Sequence, residues 1–211
     1  DGDLSLREAL LLASQDVATD AITFDPALTG QTIVLTGTEL SVDSNVTIQG
    51  LGADQLSVDA DGLSRVMNVA GGTVVSIAGL TLTGGAGETY GGAINARGVI
   101  DLTLIDCELV GNEAAQGGGI SGFHGLDLTL SGSTIAENVA GFGGGVVLYN
   151  SSIDAVNSTI SGNEATATGG GLYIYNSAAD LTNVTIAGNT AGTGGAGFAS
   201  VSGSLVALNN S

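Results

Sequence analysis

One feature limits what this chain can fold into more than any other: it repeats. Asn112, Asn138, Asn163 and Asn189 are spaced 26, 25 and 26 residues apart. The runs Gly117-Gly118-Gly119, Gly143-Gly144-Gly145 and Gly169-Gly170-Gly171 follow the first three, and Ile120, Val146 and Leu172 come directly after those runs. Phe198, after Gly195-Ala196-Gly197, continues the series. A period in this range marks a solenoid, whose repeats cannot bury their apolar faces alone.

Within each repeat the apolar positions alternate, as strands require. One column reads Ile77, Leu104, Leu130, Ala155, Leu181; a second reads Leu82, Leu109, Ile135, Ile160, Ile186; a third reads Ile94, Ile120, Val146, Leu172, Phe198. Thr81, Thr134, Thr159 and Thr185 fall between them and are expected to face outward. Nothing in this half has the period of an amphipathic helix. Short strands joined by glycine turns bury a continuous core only by stacking equivalent turns. The expected fold is therefore all-β, a parallel β-helix solenoid with matching residues about 4.8 Å apart. It reads as one domain over 1–211, with irregular coils at 20–72 and regular coils at 73–211.

The asparagine column suits an inner corner. Asn tolerates left-handed backbone angles better than most residues, and a stacked amide can bond both the turn backbone and the next Asn. Gly85 takes this position in the first regular coil. Asp106, Gly132, Asn157 and Asn183 mark a second corner. At the far end, Leu205 and Ala207 are expected to continue the inward columns and Asn209 the second corner, leaving an open carboxy-terminal coil.

Charge narrows the partners. Three arginines and no lysine stand against 21 acids, a net charge of −18. Nucleic acid and anionic lipid both need basic surface, so neither is an expected partner. No apolar run of about 20 residues is present, so direct membrane insertion of this segment is not expected. Cys107 is the only cysteine and cannot form an intrachain disulfide. It shares a column with Leu80, Ser133, Ser158 and Val184, which predicts a buried, inert thiol. The sequence begins at Asp1 without Met, so any signal peptide has been removed or omitted.

Ser5 and Glu8 have capping-box spacing, and Leu6, Ala9, Leu10 and Ala13 share one helical face. We expect a capping helix over Leu4–Gln15, within an amino-terminal segment 1–15, covering the end of the first coil and its strand edges. Strands are expected at Ile22–Phe24, Thr32–Leu35, Leu40–Val42, Val46–Ile48, Leu56–Val58, Val66–Val69 and Val74–Ile77. Asp25-Pro26, Gly50-Leu51-Gly52, Asp61-Gly62 and Gly71-Gly72 separate them.

Ser5-Leu6-Arg7-Glu8-Ala9, Ile22-Thr23-Phe24 and Val46-Thr47-Ile48-Gln49-Gly50-Leu51-Gly52-Ala53-Asp54 resemble the CSLREA-type amino-terminal region of bacterial secreted and surface proteins. The later repeats resemble those of polymorphic outer-membrane proteins. The family's cysteine is Leu4 here. The resemblance implies a right-handed parallel β-helix, extracellular or at a bacterial cell surface, adhesin-like, with a protein or glycan as partner.

Two function classes follow. The first is a non-enzymatic surface module, acting as adhesin, stalk or structural element, with end-to-end self-association among its expected contacts. Phe123, Tyr149 and Tyr175 are expected to form an exposed ring ladder, suited either to a sugar or a protein or to cross-coil packing that stabilises the sheet. The second is a carbohydrate-active enzyme, a polysaccharide lyase or hydrolase. That chemistry needs cations beside acids, and in the sequence Arg7, Arg65 and Arg97 form no cluster. His124 shares a corner column with Asn150 and Asn176, without an acid beside it. No catalytic residue is assigned and no cofactor is expected. Asp59 and Asp61 resemble the start of a calcium loop whose remaining ligands are missing. The Thr column would suit ice binding, but Glu108 interrupts it.

Overall fold

A computed structural model describes residues 4–16 and 18–211. Its strands form four parallel sheets of eight, seven, five and seven strands, each strand pairing with its counterpart in the coils before and after. One coil shows the path. Ile100–Ile105 belongs to sheet I, Glu108–Val110 to sheet II, Glu113–Gln116 to sheet III and Ile120–Phe123 to sheet IV, before Leu126–Ser131 returns to sheet I. The expected parallel β-helix is present.

Stacking sets the core. Leu104 pairs with Leu130, Leu130 with Ala155, and Ala155 with Leu181, all completely buried. The other two inward columns stack in the same register. Thr134 and Thr159 are half-buried and Thr185 is exposed. Thr81 departs from that column: it is buried, and its hydroxyl donates to the Ala53 carbonyl at 2.7 Å. The irregular loop at Ala53 folds over this position, where later coils have none.

The amino-terminal helix α1 spans Leu6–Ala13, shorter at both ends than its expected range. Ser5 caps it through the full capping box, and Leu6, Leu10 and Ala13 are its buried face. It packs on Asp20–Thr23 and Leu40–Val42, the leading strands of sheets I and IV.

The corners explain the polar columns. Asp106, Gly132, Asn157 and Asn183 all have positive φ, between 49° and 60°. Only glycine, Asn, Asp and His enter that region at modest cost. His124, Asn150, Asn176 and Ser202 form a second positive-φ column, which places His124 at a corner.

The last coil differs from the expectation. Tyr175 pairs with Val201, but Ala178 pairs with Leu205, so one extra residue enters near Ser202-Gly203-Ser204. Register therefore slips by one, and a one-residue slip reverses the faces of a strand. Val206 and Leu208 follow the inward residues Ala179 and Leu181, whereas Leu205 and Ala207 face outward. Asn209 pairs with Thr182, and Asn210, with φ 55°, takes the corner instead.

Candidate functional site

Two sets of side chains could carry function or its scaffold: the buried asparagine ladder and the outward face of sheet IV. The ladder is continuous. The Asn138 amide nitrogen donates to Leu109 O at 2.9 Å and to Asn163 Oδ1 at 3.0 Å. Its Oδ1 accepts from the backbone N and the side-chain Nδ2 of Asn112, both at 3.0 Å. Asn163 repeats the pattern with Asn189, and Gly85 N donates to Asn112 Oδ1. Asn112, Asn138 and Asn163 are essentially inaccessible, and Asn189 is buried. These residues hold the turn between sheets II and III.

Sheet IV departs more from the sequence reading. The strands Val146–Tyr149 and Leu172–Tyr175 have apolar or aromatic residues on both faces. Of their outward residues, Val147 and Tyr173 are nonetheless buried. The cause is the glycine turn before each strand. Gly143 and Gly169 have φ 59° and 70°, and a Cβ on them would sit 2.9 Å from Val147 Cβ and 2.6 Å from Tyr173 Cβ. The bend brings the end of sheet III back beside sheet IV. Tyr90, Gln116 and Phe142 form a register column at that end.

Six aromatic rings meet in this corner. Tyr90 packs edge-on against Phe123 at 4.8 Å, and Phe142 against Tyr173 at 5.7 Å. Phe123 and Tyr149 stack at 4.9 Å with planes 7° apart, and Tyr149 meets Tyr175 at 5.4 Å, tilted by 34°. The expected exposed ladder is thus only partly exposed. Phe123 is buried, Tyr149 is half-buried and Tyr175 is 37% exposed. The facing surfaces of Phe123 and Tyr149 lie against each other, so no ligand ring can insert between them. Burial, followed by the neighbouring Tyr173, pushes the Tyr149 hydroxyl up to about 12. All four tyrosines of the chain are in this one cluster.

The three arginines, which form no cluster, are linked in series through Glu39 and Tyr90. Arg7 donates to the carbonyls of Glu39 and Thr38 at 2.6 and 2.7 Å. The Glu39 carboxylate pairs with Arg65 at 2.6 Å, and Arg65 Nε donates to the Tyr90 and Gly91 carbonyls at 2.8 Å. Arg97 lies over the Tyr90 and Phe123 rings at 5.2 and 5.7 Å. Part of this line had a sequence signal, since Glu39, Arg65 and Gly91 follow one another at the 26-residue repeat; the Arg97 contact with Tyr90 did not, because it joins the end of sheet III to sheet IV. Arg97 is exposed and has no carboxylate partner among the described residues. Below it, Asn95 Nδ2 donates to Asn68 Oδ1 at 2.8 Å, while Asn95 Oδ1 and Ser121 Oγ are buried without a protein partner.

The remaining candidates have structural roles. Asp59 Oδ1 accepts the Asp61 amide at 2.8 Å and closes a turn in which Asp61 has φ 53°. No group of three or more His, Cys, Asp or Glu side chains among the described residues is placed to hold a metal ion. Cys107 is buried, and burial pushes its thiol up; Sγ donates weakly to the Ile77 and Ile105 carbonyls. No helix among the described residues is long and apolar enough to cross a membrane.

The fold and its corners therefore define a β-solenoid with one aromatic, arginine-bearing face. Residues 31–211 match the family model described as a right handed beta helix region, and the chain belongs to that family. Neither the curated proteins nor the solved structures contain a match.

Proposed function

We propose that this chain is a non-enzymatic β-helix module of the bacterial cell surface or extracellular space, adhesin-like, that meets a glycan or protein partner through sheet IV. The CSLREA-type opening and the polymorphic-outer-membrane-like repeats support the location. One observation carries the recognition reading. Six of the eight aromatic residues meet in one corner, with Arg97 over two of the rings and Arg65 bonded to the Tyr90 backbone beside them. Outward positions elsewhere carry no aromatic ladder: they are small, hydroxylated or acidic, as at Asp101, Thr103, Thr134 and Glu164, or single aliphatics, as at Val34, Val74 and Ile105. Aromatic residues with arginine favour recognition because they present large, rigid contact area with charged hydrogen-bond donors.

The arginine line also favours a second reading, a polysaccharide lyase or hydrolase, since proton abstraction beside a carboxylate needs cationic support. Against it stands the −18 charge, which repels a polyanionic substrate. An absorbance assay for unsaturated products on polygalacturonate and alginate, with millimolar calcium, separates the two readings. A reducing-sugar screen on neutral glycans accompanies it. The module reading expects flat traces in both. Sustained product that disappears with Arg65→Ala or Arg97→Ala would establish the enzyme. Antibody labelling of intact producing cells tests the location, and labelling seen only after lysis contradicts it.

A further inference from the structure

We infer that the sheet IV corner around Arg97, Tyr90, Phe123, Tyr149 and Tyr175 binds an otherwise neutral glycan through one isolated carboxylate. This rests on the recognition-module reading and adds the ligand's chemistry to it.

Arg97 supplies the argument for charge. The chain has seven acids for every arginine (21 against 3), yet Arg97 pairs with none among the described residues. Arg65 is held by Glu39, and Arg7 by two carbonyls. Two rings lie beneath the Arg97 guanidinium. Cation–π contact positions the group without using its hydrogen-bonding edge. That planar fork matches a carboxylate and gives a charge-assisted, two-point contact.

The count of cations limits the ligand. One unpaired guanidinium neutralises one carboxylate. A polyuronate brings a charge on every residue into the field of a −18 protein, and a dianionic phosphate brings two at one point. A single carboxylate on a neutral chain fits the balance best.

The rings supply the argument for sugar. Arg97, Phe123, Tyr149 and Tyr175 occupy successive register steps, so the row extends about 14 Å along the solenoid axis. Tyr175 ends the row, with Val201 next to it in register, and is 37% exposed. Its ring can pack on a sugar face, and the tyrosine hydroxyls can bond sugar hydroxyls. A peptide strand has less to gain here. Ile94–Arg97, Ile120–Phe123 and Val146–Tyr149 are paired on both sides, so these strands offer no free edge for β-augmentation.

Because every tyrosine lies in this cluster, intrinsic tyrosine fluorescence is a native reporter. The probes are sialyllactose, with one carboxylate, lactose, with none, and polygalacturonate, with many. We expect saturable fluorescence change with sialyllactose at an affinity at least about tenfold above lactose. Polygalacturonate should bind more weakly per sugar residue. Arg97→Gln should reduce the preference for sialyllactose to near unity without changing the melting temperature. Tyr175→Ala should weaken both small sugars together. Equal binding of lactose and sialyllactose overturns the carboxylate assignment and leaves the recognition module standing. A preference that survives Arg97→Gln, or polygalacturonate as the tightest ligand, also overturns it. No saturable change with either small sugar overturns the site itself, while cell-surface labelling remains an independent test of the broader reading.

Discussion

Replacing Asn138 with alanine should destabilise the protein by about 2–4 kcal/mol. The substitution removes four hydrogen bonds from an inaccessible position: two donated by Nδ2 and two accepted by Oδ1. Their loss is unequal in effect. Asn112 Nδ2 keeps its bonds to Leu82 O and Val110 O, and Asn163 Oδ1 keeps the Asn138 backbone N–H. The Asn112 backbone N–H, by contrast, loses the acceptor that holds it. An unsatisfied buried group costs about 1–3 kcal/mol, and lost but replaceable bonds add about 1 kcal/mol more. For a chain of this size that corresponds to a fall of roughly 5–15 °C in melting temperature. Urea denaturation followed by circular dichroism and by tyrosine fluorescence gives the value and tests whether the solenoid unfolds as one unit. Asn163→Ala should behave alike, and the double variant should cost less than the sum, because either single change already removes the side-chain bond between the two residues. Asn209→Ala is the exposed control. Asn95 cannot serve as one, because the structure buries it. An Asn138→Ala protein within about 0.5 kcal/mol of the parent, the range of an ordinary surface change, refutes the ladder argument.

Three further outcomes are expected. Deleting residues 1–15 uncovers the leading strands at Asp20–Thr23 and Leu40–Val42 and should yield soluble assemblies or aggregate; light scattering from a clean monomer contradicts this. Stability should fall as pH rises from about 10 toward 12. Tyr149 keeps its proton in the folded chain, its hydroxyl being pushed up to about 12, while the unfolded phenol loses its proton near 10. The fall should be smaller in Tyr149→Phe, and equal slopes would remove Tyr149 as the cause. Excess chelator should leave the melting temperature unchanged, since Asp59 accepts the Asp61 amide within its own turn; a clear drop would point to a bound cation that stabilises the native state.

Most of the solenoid was legible because its information is periodic. Near-regular spacing placed Asn112, Asn138 and Asn163 in one column without any knowledge of sheet angles. The capping box at Ser5 and Glu8 was legible for a similar reason, since both partners lie within one turn. The failures have a common origin in single-coil events. The extra residue near Ser202 has no local signature until the register of Leu205 is seen, and it reverses the inward assignment there. Thr81 is covered by the loop at Ala53, which belongs to an irregular coil. Tyr90 and Phe142 were missed because their contacts depend on how sharply sheet III turns into sheet IV. One signal did exist: Val146–Tyr149 and Leu172–Tyr175 are apolar at every position, the pattern of strands covered on both faces.

That two-sided cover bears on how such a surface could act. An outward side chain on an open solenoid sheet is free to change rotamer, and ordering it on binding costs about 0.5–1.5 kcal/mol each. Here Tyr149 lies between Phe123 and Tyr175 and touches Tyr173, so its ring is positioned before any ligand arrives. Arg97 rests on two rings in the same way. The scaffold beneath them is equally fixed, because the inward residues Ile94, Ile120, Val146 and Leu172 are fully buried and in register. Contacts of this face are therefore preorganised by the same stacking that forms the core. A substitution that disturbs one coil should then shift neighbouring rings together: loss of Phe123 removes a contact from Tyr90, Tyr149 and Arg97 at once. Binding defects in Phe123→Ala should accordingly exceed those in Tyr175→Ala, even though Tyr175 is the more exposed ring.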